Sequence, residues 1–311
     1  MCNELVEMTR KSGFSLCITC VCVILIQTCF AQSDTGASAD TLKNRRWLIC
    51  GSGMALYTGS MVGLNALWYR DYPRSGFHSF DDSGEWLQMD KAGHGMASYY
   101  LGLVGYESLR YAGVKKGPAL LWGGGTGFLY LTGIEILDGF STEWGFSWSD
   151  ELANLTGAAA FIAQQAAWDD QRIKLKFSFQ PSEYAALRPA LFGSDFSAQM
   201  LKDYNGQTYW ASVNIYSFIN SSSRFPKWLN VAVGYGIDGV IYGEAEDQNE
   251  LEWGSYSRQR QVYLSLDVDL TRIETKSKFL RTVTKTIGFI KFPAPTISLT
   301  GKQVNGHWLH F

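Results

Sequence analysis

Apolar and polar residues follow two different periods along the chain, and the change falls just after Trp168. Before it, uncharged or helically periodic stretches predict four helices, at residues 47–69, 90–111, 118–137 and 149–168. After it, apolar and polar residues alternate, which predicts strands near residues 173–179, 209–218, 229–241, 262–270, 296–300 and 307–311. The chain therefore predicts an α+β fold, in which a glycine-rich bundle of four helices precedes an antiparallel β-rich region.

The segments at the N-terminus have the pattern of an exported protein. Arg10 and Lys11 precede an uncharged stretch that ends near Ala31, so residues 1–31 are predicted to be a signal peptide, with an uncleaved anchor helix as the alternative. A lipoprotein-type cleavage before Cys29 fits less well, because Ile26-Gln27-Thr28 are not the usual small residues. The remaining chain divides into a flexible leader, 32–46, a helical domain, 47–168, and a β-rich domain, 169–311, with an amphipathic helix at 276–291.

Two of these helices have membrane-like features. Residues 47–69 contain no charge, and Gly51, Ala55, Gly59 and Gly63 recur every four residues, as on the packing face of a membrane helix. A buried helix of a soluble bundle is the alternative. The helix at 276–291 is basic and amphipathic, so it either lies on a membrane surface or packs on the sheet.

Composition narrows the possible partners. The formal net charge is -2 and no basic run is interleaved with aromatics, so nothing indicates nucleic-acid binding. The mean hydropathy of -0.09 is too polar for a protein made mostly of membrane helices.

Five of the six cysteines lie at or before Cys29, so Cys50 has no partner for a disulfide framework or a zinc–thiolate site. The terminal Phe311 resembles the end of an outer-membrane barrel, but six strands are too few to close one, which favours an antiparallel sheet.

Ionisable residues are concentrated inside the otherwise apolar helical segments. Such groups are costly among apolar neighbours unless they are paired or used. On a helix, each of three motifs places its polar members on one face, because they are spaced by three or four residues. These motifs predict one polar cluster between packed helices, formed by Asp90, Lys91 and His94, by Glu135 and Asp138, and by Asp150 and Asn154, with Gly157 allowing a close helix contact.

The predicted cluster is compatible with a metal site, with acid–base chemistry or with a structural role. An imidazole and three carboxylates, from His94, Glu135, Asp138 and Asp150, form a reasonable ligand set for a divalent metal. The same four groups would serve as catalytic acid and base, with His94 held by Asp90.

The structural alternative assigns each polar group to helix ends and pairs. In it Asp90 caps its helix, Lys91 neutralises Asp138 or Glu135, and Ser147 with Asp150 forms a capping box. The loop at 70–85 contributes His78, Asp81, Asp82 and Glu85, for which a solvated acidic loop is favoured over a cation site.

The three motifs together resemble a known family. Asp90-Lys91-x-x-His94, Glu135-x-x-Asp138 and Asp150-x-x-x-Asn154-x-x-Gly157 are similar to motifs of the YfiM-like family of periplasmic lipoproteins, a domain of unknown function. More distantly, the first and third motifs resemble those of VanZ-like membrane proteins. The resemblance covers residues 90–157 and implies a bacterial envelope protein with no established activity. VanZ-like kinship implies a link to cell-wall glycopeptides or surface lipids.

Three functions follow as hypotheses. The first is a non-enzymatic, membrane-associated envelope protein whose cluster is structural or binds a lipid or glycan head group. The second is a metal- or acid–base-dependent hydrolase acting on an envelope lipid or cell-wall precursor, with a divalent metal as its cofactor. The third is a polar path for transport through the bundle. The sequence contains no nucleophile elbow, phosphate loop or dinucleotide fingerprint to favour an enzyme.

Overall fold

A computed structural model describes residues 38–69, 72–219, 224–250 and 255–311. The described chain divides into two compact units. The helical unit comprises the described residues up to Asp82 together with Lys91–Asp170, and the sheet unit comprises Ser83–Asp90 and Gln171–Phe311. The predicted signal peptide, residues 1–31, lies outside the described residues.

The helical unit contains the predicted helices, with shifted ends. They are α1 (Ala39–Leu64, continued by a π-helical turn to Tyr69), α2 (Met89–Tyr111), α3 (Lys116–Pro118), α4 (Thr126–Asp138) and α5 (Trp148–Trp168). The first two residues of α2 are assigned to the sheet unit. The flexible leader predicted for 32–46 is wrong from Ala39 onward, because the Ser38 hydroxyl caps the backbone N–H of Thr41 and starts the helix there.

The predicted third helix, 118–137, is interrupted. After α3 the chain makes a π-helical turn over Ala119–Gly123 and then passes Gly124 and Gly125 before α4 begins. Three consecutive glycines have little intrinsic preference for a helix, which explains why the break falls there.

Close helix contacts in this unit come from glycines other than the predicted stripe. A Cβ added at Gly157 of α5 would lie 2.0 Å from the carbonyl oxygen of Gly95 in α2, and one at Gly127 of α4 would lie 2.1 Å from that of Ser98. By contrast, a Cβ at Gly51, Gly59 or Gly63 would meet nothing within 4 Å. The helices α2, α4 and α5 are therefore held together by backbone-to-backbone approach, and α1 is not.

Two helical stretches, Ala39–Leu64 and Lys116–Asp138, are long and apolar enough to cross a membrane by length and composition. No part of the first apolar window is buried, and 28% of the second is buried. Core helices of soluble proteins meet the same criterion, so length and composition alone assign neither stretch to a membrane.

The sheet unit contains six antiparallel strands in the order β1-β2-β3-β4-β5-β6, which confirms the α+β class. The strands are β1 (Ile173–Phe179), β2 (Gln207–Asn214), β3 (Leu229–Asp238), β4 (Gln259–Val268), β5 (Ala294–Thr300) and β6 (Gln303–His310). The connections carry the short helices α6 (Tyr184–Leu187), α7 (Pro189–Phe192), α8 (Phe196–Lys202), α9 (Ala245–Glu250) and α10 (Lys278–Thr286). The predicted helix at 276–291 is thus shorter, and the second predicted strand ends at Asn214, whose side chain caps the following 3₁₀ turn.

The sheet is rolled rather than flat. Beyond β1, at its edge, the backbone N–H of Phe177 donates to Phe289, and that of Lys291 donates to Phe177. At the other edge, the His310 ring of β6 stacks on Tyr263 of β4 at 4.7 Å and lies 6.3 Å from the Trp210 ring of β2. A flat sheet would hold β2 and β6 four strand spacings apart, roughly 19 Å.

The stretch Ser83–Asp90 contributes to the core of the sheet unit. Met89 is fully buried against Ile237 and Val240, and the Trp86 N–H donates to the carbonyl of Gly243. The sequence predicts that all of 47–168 lies in the helical domain, because no periodicity within the eight residues Ser83–Asp90 distinguishes one unit from the other.

Candidate functional site: a buried acidic cluster

A lysine organises the first half of the cluster in the helical unit. The ammonium of Lys91 on α2 lies 2.6 Å from the Asp82 carboxylate and 3.1 Å from that of Asp150 on α5. The hydroxyls of Ser147 and Ser149 donate to the same Asp82 oxygen at 2.6 and 2.7 Å. We call these five residues the lysine clasp. Its charges are paired and hydrogen-bonded, as buried charges require.

Asp82 is the residue of this clasp that sequence reasoning missed. The loop containing it was predicted to be solvated, but Asp82 is buried. Burial by itself raises the pKa of Asp82, but hydrogen bonds from Lys91, Ser147 and Ser149 outweigh it and lower the pKa to about 2. Its sequence neighbours gave no signal, because the partners lie 65 or more positions away or on another element.

At the start of α5, one of the two hydrogen bonds of the predicted capping box is present and the other is replaced. The Ser147 hydroxyl accepts the backbone N–H of Asp150 at 3.0 Å, as an N-cap does. The backbone N–H of Ser147 donates to Glu135 at 3.3 Å, where a reciprocal box would have used Asp150. The α5 N-terminus thereby delivers Asp150 to Lys91 and also reaches Glu135 on α4.

Glu135 is the most deeply buried acid of the cluster, at 2% exposure. The imidazole of His94 lies beside it, with Nδ1 3.8 Å from a carboxylate oxygen. Burial, together with the charges of Asp150 and Asp138, raises the pKa of Glu135 to about 9. Glu135 therefore holds a proton at neutral pH unless another cation replaces it.

His94 is oriented by α5 rather than by Asp90, which the sequence analysis had proposed. Its Nδ1 lies 3.0 Å from the Asn154 side-chain oxygen. An amide oxygen accepts, so this bond places the proton on Nδ1 and leaves the lone pair on Nε2. The Asn154 amide in turn donates to Glu151 at 3.4 Å.

Asp138 is held by a tyrosine. The Tyr69 hydroxyl donates to Asp138 at 2.6 Å. Burial raises the pKa of Asp138 to about 6, although the Tyr69 hydrogen bond opposes the shift. Asp90 belongs to the sheet unit, where burial and, to a smaller extent, the Asp90 charge raise the pKa of Tyr209.

The structure brings together three of the four predicted metal ligands. One ligand atom from each of His94, Glu135 and Asp150 lies within 4.8 Å of the others. Asp138 is not in this group, and Gly157 provides the close α2–α5 contact that sets the spacing. Around these groups, four buried or largely buried carboxylates, of Asp82, Glu135, Asp138 and Asp150, face one lysine and one histidine. In such an excess of acid, a buried carboxyl group keeps its proton more readily than it does in water.

Residues 78–165 match the family model DUF2279, described as a predicted periplasmic lipoprotein. The match covers all cluster residues of the helical unit from Asp82 to Asn154. No curated protein and no solved structure matches the chain significantly. The chain is therefore similar to an uncharacterised periplasmic lipoprotein family, and it is an exported protein of the cell envelope.

Proposed function

We propose that this envelope protein binds a divalent cation in its helical unit through His94, Glu135 and Asp150, and that the bound ion serves structure rather than catalysis. The observation that carries the proposal is that ligand atoms of these three residues lie within 4.8 Å of one another while Glu135 is 2% exposed. Imidazole and carboxylate ligands together suit zinc or manganese better than calcium, which prefers oxygen alone.

Burial decides between an ion and a larger ligand. Glu135 and Asp150 are 2% and 6% exposed, so a lipid or glycan head group reaches them only if helices move apart. A single ion needs no such movement. A head group would instead meet the cluster at His94, whose side chain is 25% exposed.

The uncompensated charge around Glu135 also favours a metal ion over a larger ligand. Glu135 ionises only when a cation offsets the penalty from burial and from Asp150 and Asp138, so an ion would replace its proton. The lysine clasp already neutralises Asp82 and part of Asp150, which leaves Glu135 as the acid that lacks a full counter-charge.

Metal content and thermal stability of the full chain in detergent test this proposal. We expect close to one equivalent of zinc or manganese in the wild type and its loss in both Glu135→Gln and His94→Ala, with the fold retained. Glu143→Gln changes an exposed acid of the same unit and should keep the metal. A wild type that stays metal-free after saturation with each ion, or a Glu135→Gln variant with full metal content, would overturn the site.

A second candidate function, a metal-dependent hydrolase of an envelope lipid or cell-wall precursor, is favoured by the partial exposure of His94. A metal bound there would have one side accessible from outside, as catalytic sites require and structural sites do not. Hydrolysis of such a substrate by the loaded wild type and not by Glu135→Gln would select this candidate. YfiM-like and VanZ-like kinship, suggested by the motifs, is part of the same proposal and points to the same substrate classes.

A further inference from the structure

The outward face of the sheet carries apolar side chains that nothing covers among the described residues. Along β4 these are Val262, Leu264 and Leu266, and along β5 they are Ile297 and Leu299; each is 44–53% exposed. A shallow groove of about 530 Å³ on this face is lined in part by Leu264, Leu266, Ile297 and Trp308. This set of residues on β4 and β5, with Trp308, is called the apolar face below.

The opposite face of the same strands is polar and buried. Lys176 of β1 pairs with Asp267 of β4 at 2.7 Å, and both side chains are fully buried. The Ser212 hydroxyl donates to Asp267 at 2.6 Å, and the Asn230 amide donates to Ser212 at 2.8 Å. Soluble antiparallel sheets bury the apolar face and solvate the polar one. Here the arrangement is reversed, as it is for strands that face lipid.

Rolling explains how the polar face is buried without a second apolar layer. Pairing of Phe177 with Phe289 and Lys291 extends the sheet past β1, and His310 folds over Tyr263. The interior is therefore filled by polar and aromatic side chains of the sheet itself. The apolar side chains point outward, where water would solvate them poorly.

A basic amphipathic helix lies in the same unit and follows β4 along the chain. In α10 the apolar Phe279 and Leu280 are 74% and 50% exposed. The helix carries the cations Lys278, Arg281 and Lys285, and Lys276 lies two residues before it. Exposed apolar side chains beside several cations match the surface of an anionic membrane in both hydrophobicity and charge.

We propose that the apolar face lies against the hydrocarbon of an anionic phospholipid membrane, with α10 at the level of the head groups. The two longest strands, β3 and β4, have 10 residues each, so each extends roughly 33 Å. The exposed apolar positions of β4, from Val262 to Leu266, span roughly 13 Å of this length, about half the height of the apolar band of a membrane sheet, so the apolar face contacts one side of the hydrocarbon. The exposed apolar side chains of α10 beside its cations favour the surface of an anionic membrane, which offers hydrocarbon and negative charge together.

Fluorescence quenching at a single position, Leu264, tests the contact with lipid. A fluorophore is attached at Leu264→Cys in the full chain with its native cysteines replaced, and the protein is reconstituted into vesicles of phosphatidylcholine and phosphatidylglycerol. Acyl-brominated lipid should quench this label several-fold more than a label at Glu183→Cys, an exposed position in the same unit outside the sheet. Iodide in the aqueous phase should show the opposite preference. Thermal melting of each labelled protein checks that it is folded.

Charge is tested separately. The variant Lys278→Gln/Arg281→Gln/Lys285→Gln should lose the difference in quenching between vesicles with and without phosphatidylglycerol. Equal bromolipid quenching at positions 264 and 183 would overturn the lipid contact. Protection of position 264 from both bromolipid and iodide, with chemical cross-linking of two chains, would also overturn it by showing that a second copy covers the face.

Discussion

The two units bury charge in different ways. In the sheet unit, the fully buried Asp267 has the Lys176 ammonium at 2.7 Å and that of Lys291 at 4.0 Å, so its charge is more than matched. In the helical unit, no lysine or arginine among the described residues pairs with Glu135; the His94 imidazole lies 3.8 Å away, and the pKa of Glu135 is raised to about 9. Matched buried charge specifies packing, whereas unmatched buried charge indicates a position for a ligand. The contrast supports the proposal that the helical cluster binds a cation, whereas the sheet network is structural.

The largest expected effect is the loss of the matched pair in the sheet. Lys176→Met should lower the free energy of unfolding by about 3–5 kcal/mol, because it leaves Asp267 buried with its closest cation removed. Chemical denaturation measures it. The double variant Lys176→Met/Asp267→Leu should recover only part of the loss, because the buried Lys291 then lacks its acid. Lys227→Met, which removes an exposed pair with Glu274, should leave the free energy of unfolding close to that of the wild type. A small loss in Lys176→Met would end the distinction between the two units.

A smaller effect is expected from the helix contact that sets the cluster spacing. Gly157→Ala should destabilise the helical unit by about 1–3 kcal/mol, because the new methyl group would lie 2.0 Å from the Gly95 carbonyl oxygen and force α2 and α5 apart. It should also weaken metal binding, since His94 and Asp150 lie on these two helices. Gly63→Ala in α1, where a Cβ meets nothing within 4 Å, should instead stabilise by about 0.5–1 kcal/mol. Both are measured by thermal and denaturant unfolding, and equal responses would contradict the packing argument.

The smallest expected effect, counted per pH unit, is the change of folding stability that the protonation of Glu135 causes. Its pKa is raised from 4.5 to about 9 on folding, so the folded state keeps a proton that the unfolded state releases. Between these values the metal-free protein should lose up to about 1.4 kcal/mol of stability per pH unit as the pH rises. Glu135→Gln should flatten this slope relative to wild type, as seen in melting curves from about pH 6.5 to about pH 8, above the pKa of about 6 of the neighbouring Asp138. An unchanged slope would mean that Glu135 is ionised in the fold and already has a counter-charge.

The period of apolar and polar residues predicts the bounds of an element well where buried and exposed positions alternate regularly along it. The period of α2 and the alternation of β4 gave their ends to within three residues, because each side chain there faces the same environment every turn or every second residue. The alternation also carried an ambiguity. It shows that the two faces of β4 differ, but not which face is buried, and here the polar face is.

Some residues of the site could be predicted from the sequence and others could not. His94, Glu135 and Asp150 were identified from charge within apolar helices, a cost visible in the sequence. Asp82 was not, because an acid in a loop has no such cost until the fold buries it. Asp138 was placed with the metal ligands, yet the fold directs it to Tyr69.

The sequence by itself determined the α+β class, the helices and strands, and the three polar motifs, because these depend on patterns within one element. Only the tertiary structure decided which acids meet: glycine contacts bring α2 within backbone distance of α4 and α5, and the roll of the sheet turns its polar face inward. Contacts between residues 60 or more positions apart depend on how elements pack, and packing is a property of the whole fold that no local period encodes.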